Sequence, residues 1–134
     1  MRKSLLIAVD FDGTIVEDAY PRVGKPKPFA LETIKMLQAD GHRIILWTYR
    51  YGKALQDAEE FMIKSQIPPY AVNRSYPEEE SHPNDVSRKI NADLFIDDRN
   101  FGGFPGWGQI YQKLNREGNS PLPKKRRFFG RRRE

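Results

Sequence analysis

A short apolar run near the start of this chain places the strongest constraint on its fold. Residues 5–9 read Leu-Leu-Ile-Ala-Val, and the sequence Asp-Phe-Asp-Gly-Thr follows directly at residues 10–14. A continuous apolar run bounded by turn-forming residues is typical of a strand buried on both faces of a parallel sheet. Open α/β sheets bind ligands beyond the carboxyl ends of their strands, so the residues that end this run are candidates for a functional site.

The run ends in two carboxylates, Asp10 and Asp12. Residues i and i+2 of an extended segment project to the same side, so the two side chains can converge, and Gly13 permits a sharp turn after them. Two anions this close either keep a proton or hold a cation between them. Both outcomes suit phosphoryl transfer, in which one carboxylate attacks phosphorus and a neighbouring carboxylic acid protonates the leaving oxygen. A simple polar turn after a strand is the alternative interpretation.

The composition excludes several kinds of metal site and membrane segment. The chain has 134 residues with no cysteine and only two histidines, so thiolate sites and disulfides are excluded and a multi-histidine zinc site is not expected. Oxygen ligands remain, which favours Mg²⁺. No apolar segment approaches the roughly 20 residues needed to cross a bilayer, so we expect no membrane partner and a cytoplasmic location.

The pattern of apolar residues predicts one α/β domain over residues 1–118. Apolar runs near residues 44–47, 70–73 and 92–96 alternate with helical spacing around residues 30–37 and 55–62, and a last helix is expected to end near Gly118. This alternation predicts a three-layer, doubly wound, mostly parallel Rossmann-like sheet with helices on both faces. Asn84 or Asp85 would cap a further short helix.

Two connecting segments have a less definite interpretation. Residues 15–25 are too short for a second domain, and a small flap over the strand end and an ordinary surface loop remain equal alternatives. Residues 101–108 are rich in glycine and aromatic residues. We expect them to form a tight loop whose aromatic side chains pack onto the domain.

The positive charge of the chain lies in its final segment. The net charge is +5, and residues 124–134 alone hold seven basic residues and one acid, or +6, which leaves the preceding part at −1. We expect residues 119–134 to be a disordered basic tail. Such a tail can give salt-dependent affinity for nucleic acid, although a solubilising or localising role is an equal alternative.

Other strand ends carry polar side chains that belong at the same edge of the sheet. The last predicted strand ends in a second carboxylate pair, Asp97 and Asp98, and a parallel sheet can bring two acidic strand ends together around one cation. Thr48 ends the second strand and can donate to a phosphoryl oxygen or satisfy a local backbone group. Lys89 precedes Asp97 by eight residues and can approach the same edge, although an exposed lysine is the ordinary interpretation.

Taken in order, these motifs resemble those of a known enzyme family. The segment from Asp10 to Thr14, then Thr48, Lys89 and the pair Asp97–Asp98 resemble the four motifs of the haloacid dehalogenase-like (HAD) phosphohydrolases, over residues 5 to about 100. The resemblance implies a Mg²⁺-dependent phosphatase that acts through an aspartyl-phosphate. Because neither interval between the motifs has room for a large cap domain, a capless member with an open site is expected.

The resemblance also implies roles for individual residues. Asp10 would be the nucleophile, and Asp12 would protonate the leaving group and later activate water. Thr48 and Lys89 would hold the phosphoryl oxygens, with Arg88 as the alternative cation. The implied Mg²⁺ ligands are Asp10, the backbone carbonyl of Asp12, Asp97 and the supporting Asp98, and the candidate substrate contacts are Gly13, Thr14, Arg50 and Asn73.

Three functional hypotheses follow. The first is a phosphomonoester hydrolase that acts on a small phosphorylated substrate. The second is a related phosphatase that acts on nucleotides or nucleic-acid ends, with the basic tail as a tether. The third is a module that binds Mg²⁺ or a phosphorylated ligand without turning it over.

Overall fold

A computed structural model describes residues 3–79 and 90–119 of the chain. The described residues form a central parallel sheet, flanked by helices. The elements in chain order are β1 (Leu6–Val9), α1 (Ala30–Ala39), β2 (Arg43–Leu46), α2 (Gly52–Lys64), β3 (Ala71–Val72), β4 (Leu94–Ile96) and α3 (Trp107–Asn119).

The four described strands make one all-parallel sheet in the order β3-β2-β1-β4. β1 lies between β2 and β4, and its last residue Val9 pairs with Leu46 on one side and with Ile96 on the other. Three strands therefore end at the same level of one edge. This is a Rossmann-like α/β fold, as the alternation of strand and helix patterns predicts, and the described residues contain no large cap domain.

Apolar side chains cover both faces of β1. Ile7 and Val9 belong to the larger buried cluster, which also contains side chains of all three described helices, whereas Ala8 belongs to a smaller cluster on the other side of β1. Each large aliphatic side chain buried in this way contributes about 1.5–3 kcal/mol. The buried, paired strands therefore fix the positions of the residues that follow them.

Most predicted boundaries agree with the structure. α1 stops just before Gly41, which has a φ of +97° and so turns the chain out of the helix. The predicted helix after Asn84 falls in residues 80–89, outside the described residues, so helices on the second face of the sheet remain a prediction. None of the helices described is long and apolar enough to cross a membrane.

The glycine-rich loop before α3 agrees with expectation in part. Trp107 is buried, and its ring meets that of Phe104 edge to face with centroids 6.0 Å apart. Phe101, in contrast, is fully exposed, so the expectation that the aromatic side chains of this loop pack onto the domain was wrong for this residue. The end of the loop is therefore buried at Trp107, whereas Phe101 lies in solvent.

Candidate active site

Three carboxylates converge at the carboxyl edge of the sheet. Asp10 follows β1, and Asp97 and Asp98 follow β4; one carboxylate oxygen from each lies within 4.8 Å of the others. The backbone brings them together because the Asp10 amide donates to the Ile96 carbonyl at 2.9 Å and so continues the pairing of the two strands. The expectation that the acids of the first and last strands meet in space is confirmed.

The electrostatics of this acidic cluster are unfavourable for three ionised groups. Partial burial, and then the negative charge of Asp97, raise the pKa of Asp10 from 3.8 to about 7. Burial penalises the charged form of a carboxyl group, and a neighbouring anion adds to that penalty. A bound cation or a retained proton would relieve the repulsion.

Thr14 forms hydrogen bonds with two residues of the acidic cluster, Asp10 and Asp98. Its hydroxyl oxygen accepts the Asp98 amide proton at 3.0 Å and lies 3.2 Å from Asp10 Oδ2 and 3.3 Å from Asp98 Oδ1. The Trp107 indole N–H donates to the Thr14 carbonyl at 2.7 Å, which attaches α3 to the same turn. Thr14 is completely buried. The prediction that it contacts substrate is therefore corrected: Thr14 positions the carboxylates.

Gly13 makes room for one of these carboxylates. Its φ is +87°, and a Cβ at this position would collide with the carboxylate oxygen Oδ2 of Asp98. Its amide donates to the Val16 carbonyl at 2.7 Å and is therefore engaged within the turn, and the contact of Gly13 with substrate stays a prediction. Glycine at this position allows both the left-handed turn and the approach of Asp98.

We expect Gly13→Ala to destabilise the protein more than Gly102→Ala. Both glycines have a φ near +90°, but a Cβ on Gly102 would meet nothing within 4 Å. The Gly102 variant should lose only about 1 kcal/mol from backbone strain. The Gly13 variant should lose about 3 kcal/mol because the Asp98 carboxylate must also move. Urea unfolding measures both losses, and equal losses would show that Asp98 is not held against this turn.

Arg50 is buried and has every N–H of its guanidinium engaged. Its Nε and one terminal nitrogen donate to the two oxygens of Asp12 at 2.8 and 2.7 Å. The remaining N–H groups donate to backbone carbonyls, those of Pro21, Arg22 and Ala54, at 2.7–3.1 Å. The hydrogen bond with Asp12 raises the pKa of Arg50. The prediction that Arg50 contacts substrate is therefore corrected, because no donor is left for a ligand in this structure.

Arg50 also sits between two aromatic rings. The guanidinium carbon lies 5.1 Å from the ring centroid of Phe11 and 5.1 Å from that of Tyr20. Such cation–π contacts add to the hydrogen bonds when the cation is removed from water. One side chain thus connects Asp12, the start of α2 and the segment that contains Tyr20.

Residues 15–27, which contain Tyr20, form a small flap. A flap was one of the two alternatives that the sequence allowed for residues 15–25. The Glu17 amide donates to the Lys25 carbonyl at 2.7 Å, and the Lys27 amide donates to the Ile15 carbonyl at 2.8 Å. Residues 15–27 therefore fold back on themselves as a short ladder. Arg50 holds the turn of this ladder through the carbonyls of Pro21 and Arg22.

An open cleft of about 370 Å³ lies between the flap and the sheet edge. It has four acidic residues, one arginine, two aromatic residues and a threonine in its wall. These residues are Asp10, Asp12, Asp18, Trp47, Thr48, Tyr49, Asp97 and Arg99. The cleft therefore contains the predicted nucleophile, acid–base residue, threonine and metal ligand together.

Thr48 lies in this cleft with its hydroxyl oriented by the backbone. The hydroxyl oxygen accepts the Arg50 amide proton at 3.1 Å, which leaves the hydroxyl proton for donation to an oxygen in the cleft. The Thr48 amide donates to the Asn73 side-chain oxygen at 2.8 Å. Asn73 therefore supports the end of β2 through its side-chain oxygen, and its contact with substrate stays a prediction.

Some cleft residues escaped the sequence analysis. Arg99 directly follows the Asp97–Asp98 pair, so its position after a strand end was a usable signal. Trp47 and Tyr49 adjoin the end of β2 and carried the same signal, whereas the place of Asp18 in the cleft depends on the flap. Lys89 and Arg88, the alternative third-motif cations, lie outside the described residues and remain predictions.

Comparisons with known proteins support the fold and leave the activity open. A solved structure of a conserved protein coded by a locus of Bacteroides thetaiotaomicron matches with a TM-score of 0.80 and 51% sequence identity, covering 86% of this chain and 93% of that chain. At this identity and coverage the two chains belong to one protein family, whose activity that description does not state. No protein-family model and no curated protein sequence matches the chain.

Proposed function

We propose that this protein is a Mg²⁺-dependent phosphomonoester hydrolase of the capless HAD-like type, with Asp10 as the nucleophile. One observation carries the proposal: Asp10, Asp97 and Asp98 converge at the carboxyl edge of the sheet. The cleft that contains Asp10 and Asp97 also contains Asp12 and Thr48. These are the residue types that phosphoryl transfer through a carboxylate requires.

The chemistry assigned to the chain has two steps. In the first, an Asp10 carboxylate oxygen bonds to phosphorus, the ester P–O bond breaks, and Asp12 gives a proton to the departing oxygen. In the second, Asp12 takes a proton from water as the water oxygen attacks phosphorus, which releases inorganic phosphate and restores Asp10. The ion pair with Arg50 fixes the position of the Asp12 side chain.

The donor set of the acidic cluster fits a hard divalent cation. It offers three carboxylate oxygens from Asp10, Asp97 and Asp98, and oxygen ligands suit Mg²⁺. Burial raises the pKa of Asp10 to about 7 and the negative charge of Asp97 adds to the rise, so a bound cation would favour the ionised form of Asp10. Bound there, Mg²⁺ would neutralise charge on the phosphoryl group. The Asp12 backbone carbonyl is the fourth ligand that we propose.

The first prediction is metal-dependent release of phosphate. Purified protein with Mg²⁺ should release inorganic phosphate from a panel that contains phenyl phosphate, glycerol phosphate and a sugar phosphate. EDTA should stop the reaction, and an excess of Mg²⁺ should restore it. Full activity in EDTA would remove the metal from the proposal. Tight binding of phosphate esters without turnover would favour the non-catalytic module instead.

The nucleic-acid alternative depends on the basic tail. Residues 120–134 lie outside the described residues, so the tether remains a prediction from charge alone. A chain truncated after Asn119 should bind single-stranded oligonucleotides more weakly at low salt if the tether exists. Equal binding by the full and truncated chains would dismiss it.

A further inference from the structure

Aromatic side chains are concentrated at the mouth of the cleft. Trp47 and Tyr49 both line it. Tyr49 is 59% exposed, and two further rings in contact with this pair, Tyr20 and Phe95, are 40% and 36% exposed. Exposed apolar surface around a concave site is typical of a ligand-binding groove.

Each cleft-lining ring is supported by a second ring. Tyr49 packs against Tyr20 of the flap, with centroids 5.2 Å apart and planes tilted by 43°. Trp47 meets Phe95 of β4 edge to face, with centroids 6.2 Å apart. Pairs in this distance range are mutually attractive. The two rings that border the cleft are therefore held in defined orientations, although Tyr49 is exposed and Trp47 is only partly buried.

These rings lie beside the atoms of the proposed chemistry. The Trp47 amide donates to the Val9 carbonyl at 2.9 Å, so Trp47 is adjacent to the strand residue that precedes Asp10. Tyr49 directly follows Thr48. Both rings line the same cleft as Asp10 and Thr48, so the ester substituent of a phosphoryl group bound between those two residues would share that cleft with the rings.

The Tyr49 ring at the mouth of the cleft is itself uncharged. Partial desolvation, and then the negative charges of Asp12 and Asp18, raise the pKa of the Tyr49 hydroxyl above its ordinary value. A tyrosine phenol is already neutral at physiological pH, and this rise keeps it so. A neutral ring favours stacking with a flat, uncharged group over attraction to a second anion.

We propose that this cleft selects phosphate monoesters whose leaving group carries a planar ring, which stacks against Tyr49. The inference rests on the proposed hydrolase function and names its substrate class. Aryl esters and nucleotides share this chemistry. Aliphatic and simple sugar phosphates do not.

The experiment compares two esters with the same kind of leaving group. Benzyl phosphate and cyclohexylmethyl phosphate both release a primary alcohol, and they differ in whether the ring is planar. We expect kcat/KM to be about fivefold higher for the benzyl ester. In Tyr49→Leu protein this ratio should fall close to one. Tyr51→Leu is the matched control, because Tyr51 is exposed, lies two positions away and does not border the cleft, so its ratio should equal that of the unchanged protein.

The outcomes separate this inference from the function on which it rests. Turnover of both esters with a ratio near one in the unchanged protein would overturn the ring subsite and leave the hydrolase intact. If neither ester is hydrolysed, binding of benzylphosphonate and cyclohexylmethylphosphonate, measured by ligand-observed NMR, tests the subsite alone. Preferential binding of benzylphosphonate that is lost in Tyr49→Leu supports it, and equal binding overturns it.

A second pair of substrates shows whether the ring that binds is a nucleobase or an aryl group. A nucleoside 5′-monophosphate carries a base at the position where ribose 5-phosphate carries a hydroxyl group. A several-fold preference for the nucleotide that disappears in Tyr49→Leu would support the subsite and assign it to a nucleobase. A preference confined to benzyl and phenyl esters would support the subsite and assign it to aryl phosphates.

Discussion

Asp10→Asn protein is expected to release no phosphate from any monoester, yet to unfold at a higher temperature than the unchanged protein at pH 8 in the absence of metal. The loss of activity follows from the proposed chemistry, because an amide does not form the acyl phosphate. We expect kcat to fall by more than about a thousandfold. The gain in stability follows from the electrostatics of the acidic cluster.

The sign of the stability change depends on pH. The folded protein raises the pKa of Asp10 from 3.8 to about 7, so ionisation of this group opposes folding. The cost is absent below pH 3.8, grows as pH rises toward 7, and is fully present above that. Asparagine never carries the charge. The variant should therefore gain stability on the order of 1–2 kcal/mol at pH 8, after allowance for screening by solvent, and almost none at pH 4.

Thermal and urea unfolding at the two pH values test this prediction. Asp57→Asn is the control, because Asp57 takes part in an ion pair with the exposed Lys53 and its loss should change stability by about 0.5 kcal/mol or less. Adding Mg²⁺ should stabilise the unchanged protein more than the Asp10 variant. Hydrolysis by Asp10→Asn at the normal rate would refute Asp10 as the nucleophile, and lower stability of this variant at pH 8 would refute the electrostatic account.

Arg50→Met should cause the largest loss of stability of any substitution that we propose. It removes five hydrogen bonds and leaves the buried Asp12 carboxylate without its cation. Removing one partner of a buried ion pair typically costs about 3–5 kcal/mol. That is a large share of the 5–15 kcal/mol by which domains are usually stable. Urea unfolding monitored by circular dichroism gives the loss.

Two further variants test whether the loss comes from the ion pair. Lys53→Met removes one partner of the exposed pair with Asp57 and should cost about 0.5 kcal/mol or less. Asp12→Asn combined with Arg50→Met should cost at least about 2 kcal/mol less than the sum of the single changes, because the second substitution removes a charge that is already unpaired. Additive losses would show that the pair is not coupled.

We also expect substitution of Arg50 to reduce activity. Its guanidinium holds Asp12, two flap carbonyls and the start of α2 together. Where Arg50→Lys protein folds, we expect it to lose activity, because an ammonium group has three donors and lacks the planar fork that binds both oxygens of a carboxylate.

The strands and helices were predictable because their signals are local. The apolar run of β1 and the helical spacing of α1 and α2 depend on residues within a few positions of each other. The meeting of Asp10 with Asp97 was also predictable, since strands that run parallel end at one edge. Sequence reasoning was less accurate for polar side chains next to strand ends. Arg50 was expected to contact substrate, and in this structure it supports the site instead, because all its donors are engaged by the protein.

The sequence by itself determined which strands end in acids, because alternation of apolar runs and turn residues sets where a strand stops. Only the tertiary structure decided how those ends are held. Arg50 and Asp12 are 38 residues apart, Thr14 and Asp98 are 84 apart, and Trp107 and Thr14 are 93 apart. No periodic pattern links positions this distant. Their contacts arise because a buried donor or acceptor must find a partner, and the partner available depends on how the whole chain packs.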